Sequence, residues 1–391
     1  MHIMSVVGAR PNFMKIAPFI RAIHQYNDNH PDKIEHTLVH TGQHYDKRMS
    51  ESFFQALGIP EPDINLQIGS GSHGLQLGNT MIEFEKVVVS HDPDWVVIVG
   101  DVNATLSCSV IAKRHKKQVA HIEAGLRSGD IKMPEEINRL VADRLSDLLL
   151  TPDRISNANL KAEGVADDRI SFVGNIMIDT LEANREKATT LSIAEVISNN
   201  AVADQPEKPI DTADRAFGVM TMHRPSNVDN EEILTGLMEF LLTEATVEIP
   251  LIWPIHPRTR KQLMKFGMWE RVLSHPTLIL LEPVGYHDML RLNMGAKIML
   301  TDSGGLQEEC CVLGTPCLTL RWNTERPVTL REHGGASVLV GNNVNQIREE
   351  FFATIAKDAE PKRPELWDGQ TAGRIVQAIV AAHKAKELVT A

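Results

Sequence analysis

The sequence predicts two doubly wound α/β domains, and three observations carry that prediction. Short apolar runs alternate with longer amphipathic stretches; the alternation stops near the middle of the chain and starts again; a polar, glycine-containing motif follows most of the runs. At 391 residues the chain exceeds what one hydrophobic core usually serves, and 42% apolar residues suffice for two.

The first series reads IMSVVG (3–8), HTLVHTG (36–42), WVVIVGD (95–101), VAHIEAG (119–125) and DLLLTP (147–152), and SFVGN (171–175) closes it before a helix entry at IMIDTLEAN. Helix-like stretches separate these runs, which is the mark of βαβ units and a parallel sheet. Residues 196–215 then include a polar, proline-containing stretch that suits an exposed loop. The second series follows as FGVMTMH (217–223), PLIWPIH (250–256), TLILLEP (277–283), AKIMLTD (296–302), PCLTLR (316–321) and ASVLVG (336–341). Residues 371–389 carry apolar side chains at helical spacing and predict a terminal helix. The expected division is an N-terminal domain over 1–175 that holds the carboxylates, a C-terminal domain over 176–365, and a terminal segment over 366–391 that packs back on the first domain.

Composition narrows the function. The first residues, MHIMSVVGARPNFMK, lack the basic region, long apolar stretch and cleavage site of a signal peptide, and no window approaches the roughly 20 apolar residues of a membrane span. A net charge of −11 with scattered basic residues argues against a nucleic-acid partner, so an anionic ligand needs a local positive site. Cys310, Cys311 and Cys317 lie in an apolar segment that fits neither a disulfide framework nor a zinc pattern, so the thiols read as reduced core residues of a cytoplasmic protein. No HExxH, paired CxxC or aspartate-rich loop offers a metal site, and no GxGxxG follows a strand to bind a dinucleotide. Neither a metal nor a cofactor is expected.

Ligands of open α/β sheets sit outside the carboxyl ends of the strands. Here GARP, TGQH, GD, EAG, MHRP, PIHPR and DSGG all fall at such ends, and two sheets facing each other would aim them into one cleft. In TDSGGLQEE (301–309), Ser303, Gly304 and Gly305 open a helix whose exposed amides and dipole suit an anion such as a diphosphate, or form an ordinary helix entry. Glu308 and Glu309 lie in its first turn, where one of them could reach a ribose hydroxyl. Arg326 in NTERP offers a fork of donors to phosphate. Arg10 and Lys15 in GARPNFMK stand about one helical turn apart, with Pro11 at a favoured helix start. Asp101, Glu123, and Glu135 or Glu136 supply carboxylates for acid and base work, although Asp101 also suits a helix cap and Glu136 a pair with Arg139 or Lys132. His223 and His256 follow strands of the second domain, where Arg224 and Asn227 fit either a ligand-orienting loop or a capped turn.

Taken together and in order, GARPNFMK, TGQHYD, VGDVNATL, HIEAGLRSGD, PEEINR, HRPSN, PIHPR, TDSGGLQEE and NTERP resemble the UDP-N-acetylglucosamine 2-epimerase family, over residues 8–327. The resemblance implies the two-domain glycosyltransferase-B architecture and an enzyme that interconverts UDP-N-acetylglucosamine and UDP-N-acetylmannosamine through loss of UDP to a bound 2-acetamidoglucal. It implies Asp101, Glu123, Glu135 and His223 as the catalytic set, and Arg10, Lys15, Ser303, Gly304, Gly305, Glu309 and Arg326 around UDP. Gln43 and His44 correspond to a region where regulated members bind a second UDP-sugar. A homodimer is expected, with the UDP-sugar as the small-molecule partner. Asn12 departs from the glutamate of many relatives, and Val284 from a glutamine near the uracil. The alternatives are a hydrolysing relative that releases UDP and N-acetylmannosamine, an epimerase of a modified UDP-sugar, a glycosyltransferase of the same architecture, and a non-catalytic UDP-sugar sensor.

Overall fold

The structure, a computed structural model, describes residues 1–42, 58, 61–208, 211–214, 216–357 and 362–390. The chain divides into two compact units, Met1–Ala183 with Glu365–Ala391, and Asn184–Pro364.

The sheet of the first unit contains β1 (His2–Val7), β2 (Glu35–His40), β3 (Ile64–Asn65), β4 (Trp95–Val99), β5 (Gln118–Ile122), β6 (Leu148–Thr151) and β7 (Ile170–Phe172) in the order β3-β2-β1-β4-β5-β6-β7. Every pairing is parallel, as in Ile98 against His121 across β4 and β5. The second unit repeats the plan with β8 (Gly218–Thr221), β9 (Leu251–Pro254), β10 (Leu278–Leu281), β11 (Ile298–Thr301), β12 (Cys317–Thr319) and β13 (Ser337–Leu339), ordered β10-β9-β8-β11-β12-β13 and again all parallel. Two doubly wound α/β units are thus present, as the sequence predicts. Helices cover both faces of such sheets, so the strands are uninterrupted apolar runs. Met4, Val96, Ile98 and Val119 are fully buried in the first core, as are Leu251, Trp253, Leu280 and Leu300 in the second, each worth roughly 1.5–3 kcal/mol of transfer energy. β3 is an edge strand of two residues, too short to register as an apolar run.

The helices that position functional groups are α1 (Arg10–Asn29), α2 (His73–His91), α3 (Asn103–Arg114), α4 (Pro134–Leu145), α5 (Pro225–Val228), α6 (Pro257–Lys265), α7 (Gly304–Leu313) and α8 (Thr371–Thr390). The first unit runs past the 175 boundary expected from the sequence because Asp179 caps α8: its carboxylate accepts from the amides of Thr371 at 3.0 Å and Ala372 at 2.7 Å. Trp367, just before α8, is buried and donates from its indole to the carbonyl of Pro152 at 2.9 Å. The start of the 196–215 stretch is helical rather than loop, since it closes the helix Ile193–Asn200. All four cysteines are buried and free.

Candidate active site

In each unit the strand order reverses at one place, β1/β4 in the first and β8/β11 in the second, and the polar motifs meet there. The strands stop where the motifs start: β4 ends at Val99 before Gly100 and Asp101, β5 at Ile122 before Glu123, and β11 at Thr301 before Asp302.

In the first unit Asn12 holds the start of α1. Its Oδ1 accepts from the amides of Gly8 at 3.2 Å and Ala9 at 2.9 Å, and its Nδ2 donates to the carbonyl of Val99 at 3.1 Å. The departure at this position therefore serves to join the ends of β1 and β4. Arg10 is the first residue of α1. Lys15, one turn on, is buried and donates to Glu123 Oε2 at 2.5 Å. Glu123 is itself 4% exposed, and its backbone is left-handed with φ +70. A non-glycine residue pays about 1–3 kcal/mol for such a conformation, which persists only where the surroundings impose it. Gly100, with φ +67, packs so closely that a Cβ there would come within 3.3 Å of Lys15 Nζ and 3.4 Å of Asn12 Nδ2. His121, fully buried on β5, ties this turn to the sheet: Nε2 is hydrogen-bonded with the carbonyl of Gly100 at 2.8 Å and Nδ1 lies 2.6 Å from Asp143 Oδ1.

Asp101 is ion-paired with the buried guanidinium of Arg139, which also binds Glu136 Oε2 through Nη2 at 2.5 Å. Glu136 accepts further bonds from the amides of Ser128 at 3.0 Å and Gly129 at 2.9 Å. Burial pushes its carboxyl up, but the Ser128 amide and Arg139 outweigh burial and hold it below the usual carboxylate range. Glu136 is thereby committed to structure, while Glu135 beside it stays exposed in the first turn of α4. A chain of amides steadies Asp101 from behind: Asn138 Nδ2 donates to the Asp101 carbonyl at 2.8 Å, and Asn103 Nδ2 donates to Gln76 of α2 at 2.8 Å, with Asn138 3.3 Å from Asn103 Oδ1.

In the second unit the organising residue is Asp302, which is fully buried. Its Oδ2 accepts from the amides of His223 at 2.9 Å and Arg224 at 2.8 Å and from Asn227 Nδ2 at 3.1 Å, and its Oδ1 lies 2.8 Å from His223 Nδ1. Burial raises the Asp302 carboxyl, yet His223 and these amides hold it below its usual range. The arrangement fixes the imidazole by one nitrogen and leaves Nε2 to meet a ligand. His256, the N-cap of α6, lies beside it with ring centroids 5.3 Å apart. Ser303 is the N-cap of α7, and Gly304 and Gly305 are its first residues. Arg326 is nearly buried, binds Glu308 from Nε at 2.7 Å and pairs with Glu325, its plane lying so near α7 that a Cβ on Gly304 would be 3.1 Å from Nη1. A Cβ on Gly305 would meet nothing within 4 Å, so the backbone of the first turn is open to approach. Glu309 is buried beside Tyr286 and Asn293, and burial followed by the neighbouring Glu308 pushes its carboxyl up to about 7. A carboxyl raised in the folded state costs stability as pH climbs from the usual carboxylate range to about 7. Glu309→Gln is expected to flatten that slope in denaturant titrations from acid to neutral pH; an unchanged slope would show that Glu309 ionises normally.

Asp101, Glu123 and Lys15 thus come together in the first unit, and His223, Ser303, Gly304, Gly305, Glu309 and Arg326 in the second. Gln43 and His44 lie outside the described residues. Sequence reasoning did not single out Asp302, His121 or Asn138; the one legible signal was an aspartate between a strand end and Ser-Gly-Gly. Among the described residues no group of three or more histidines, cysteines or acids is arranged to hold a metal ion, and no helix is long and apolar enough to cross a membrane.

A family profile described as UDP-N-acetylglucosamine 2-epimerase matches residues 27–380. The chain belongs to this family. It is 38% identical over 380 residues to the UDP-N-acetylglucosamine 2-epimerase of Methanocaldococcus jannaschii, covering 97% of this chain and 99% of that one. The crystal structure of the M. jannaschii enzyme in complex with UDP-GlcNAc and UDP is similar with a TM-score of 0.83, covering 97% of this chain and 100% of that one at 38% identity. A Pseudomonas aeruginosa relative, UDP-2,3-diacetamido-2,3-dideoxy-D-glucuronate 2-epimerase, is 36% identical over 383 residues, covering 96% of this chain and 99% of its own. The protein is accordingly an epimerase, an isomerase of nucleotide sugars.

Proposed function

We propose that this epimerase interconverts UDP-N-acetylglucosamine and UDP-N-acetylmannosamine without hydrolysis. A base takes the C2 proton, the C1–O bond to UDP breaks, and the electron pair from C2–H forms the C1–C2 double bond of a 2-acetamidoglucal. In the return, a UDP oxygen attacks C1 and a proton is delivered to C2 from the opposite face. What carries this reading is the division of chemistry between the two strand-order reversals. The first unit gathers carboxylates with one buried ammonium, and the second gathers an anchored imidazole, an open helix start and a clamped guanidinium.

Asp101, Glu123 and Glu135 are assigned to proton transfer at C2; Lys15, which the resemblance places around UDP, is assigned instead to holding the Glu123 carboxylate, to which it is bonded. His223, held by Asp302, stabilises the departing diphosphate together with Arg10, the amides of Ser303, Gly304 and Gly305, and Arg326. Glu309 receives a ribose hydroxyl. The bound UDP-N-acetylglucosamine of the M. jannaschii relative supports the substrate class, and the diacetamido-glucuronate substrate of the P. aeruginosa relative supports a second reading, a 2-epimerase of a further substituted UDP-sugar. The protein works as a homodimer and needs no cofactor.

Proton NMR of the purified protein with UDP-N-acetylglucosamine in deuterium oxide tests the proposal. Both UDP-sugars should accumulate with deuterium at C2. Stoichiometric free UDP with N-acetylmannosamine would replace it by the hydrolysing reaction, and no change of this substrate beside turnover of a 3-acetamido or uronate analogue would establish the second reading.

A further inference from the structure

Asp143 is buried on α4, and none of the assigned chemistry uses it. Its Oδ1 lies 2.6 Å from His121 Nδ1, and its Oδ2 accepts from the amide of Gly125 at 3.0 Å and from Arg127 Nη1 at 2.7 Å. Burial pushes this carboxyl up, but His121 and Arg127 outweigh burial and hold it below the usual range, so both oxygens are acceptors. The other ring nitrogen of His121 is bonded with the Gly100 carbonyl at 2.8 Å; a carbonyl only accepts, so Nε2 carries the hydrogen. Gly100 immediately precedes Asp101, and Gly125 follows Glu123 by two residues. One buried carboxylate is therefore tied to both turns that carry acids at the strand ends.

Those turns need holding. Gly100, Glu123 and Gly125 are all left-handed, with φ +67, +70 and +83, and Glu123 adopts that conformation only where its surroundings impose it. While Asp143 takes the Gly125 amide, Asn159 Nδ2 donates to the Gly125 carbonyl at 2.9 Å, and a Cβ on Gly125 would come within 2.5 Å of the Ser156 carbonyl oxygen. The residue is fixed from three sides. Along α4, Glu135, Arg139 and Asp143 recur at four-residue spacing, each about one turn beyond the last. Glu135 is itself one of the acids, Arg139 pairs with Asp101, and Asp143 holds the residue before Asp101 and the turn after Glu123.

We infer that Asp143 is a positioning residue of the reaction: through His121 and the Gly125 amide it sets Asp101 and Glu123 against the helix that carries Glu135, so that one rigid element spaces all three carboxylates. The inference rests on the assignment of those carboxylates to proton transfer and adds what fixes their separation. Taking a proton from one face of C2 and returning one to the other needs two groups held at once, and a displacement of about 1 Å costs on the order of 10²-fold in rate.

Two exchanges at Asp143 test it. Asp143→Asn keeps an acceptor for the Gly125 amide and offers a donor to Nδ1 of His121, in the tautomer that the Gly100 carbonyl already requires, so it should retain most of the parent turnover. Asp143→Val has a similar shape and no acceptor. It should lower kcat by about 10²-fold, with KM for UDP-N-acetylglucosamine and Kd for UDP unchanged, in protein whose circular dichroism spectrum matches the parent. A role confined to stability would lower the denaturation midpoint and leave kcat of the folded enzyme intact, and that result overturns the inference. His121 supplies a second pair of variants should Asp143→Val fail to fold. His121→Gln keeps a donor near the position of Nε2 and with it the Gly100 bond, whereas His121→Asn reaches only the position of Nδ1, so His121→Asn should turn over more slowly; equal rates or the reverse order overturn the inference. Normal turnover in both Asp101→Asn and Glu123→Gln would instead remove the assignment on which it rests, while loss of turnover there beside full kcat in folded Asp143→Val overturns the positioning role alone.

Discussion

Asp101→Asn is expected to lower turnover by about 10²–10⁴-fold, the usual worth of a positioned acid or base, while UDP still binds. The amide keeps the shape of the carboxylate and removes its charge and proton affinity, while Arg139 loses one of its two ion pairs and keeps the other with Glu136. Glu123→Gln and Glu135→Gln should behave similarly, with one difference that the structure makes. Glu123 is buried against Lys15, so its amide also leaves an ammonium without a counter-charge in the interior, whereas Glu135 is exposed and its substitution should leave the unfolding midpoint unchanged. Turnover measured with the UDP-sugar, beside calorimetric titration with UDP, separates chemistry from binding. Near-normal turnover in all three variants would end the carboxylate mechanism.

The second large effect is expected from Arg139→Leu. This guanidinium is 2% exposed and is shared by Asp101 and Glu136. Removing one member of a buried pair leaves an uncompensated charge, at a cost of about 3–5 kcal/mol. The loss should show in chemical denaturation and be accompanied by a fall in turnover, since Asp101 loses the partner that aims it. The pH dependence follows from Glu136. Its folded carboxyl is held below the usual range, so it contributes stability at neutral pH that disappears as pH falls through the lowered value, and Arg139→Leu should diminish that part of the acid profile, leaving what the Ser128 and Gly129 amides supply. Arg139→Lys should recover little, because one ammonium cannot span two carboxylates as a planar fork does. A denaturation midpoint unchanged in Arg139→Leu would contradict the account. Removal of Arg154, whose pair with Glu365 is exposed, is the control and should barely move it.

Much of this was legible before any coordinates. A strand covered on both faces by helices is apolar throughout, so β1, β4, β9 and β11 announced themselves as runs, and glycine with acids or histidine marked their carboxyl ends. What stayed hidden depends on pairing across long sequence separations. The choice between Glu135 and Glu136 is made by Arg139 and by the Ser128 and Gly129 amides, which a linear reading cannot bring to one carboxylate and not to its neighbour. Asp302 looks like part of a helix entry until His223 and Arg224 arrive from β8, on the other side of the strand-order reversal. The left-handed backbone at Glu123 carries no sequence signal, because only glycine or asparagine at that position would have suggested it. Arg326 reads in the sequence as a fork of donors for phosphate, and what the sequence does not show is that Glu308 and Glu325 lock it with its plane already oriented.

The first unit is built from two stretches of chain separated by the whole of the second. Residues Glu365–Ala391 leave the ribosome after Asn184–Pro364, so the second unit has its complete sequence while the first still lacks the tryptophan that fills the space by Pro152 and the helix that Asp179 caps. Parallel sheets already depend on distant contacts, and this order of synthesis leaves the face of α1 that packs on α8 uncovered until the second unit has been made. The first unit therefore cannot complete its fold before the second unit has been synthesised.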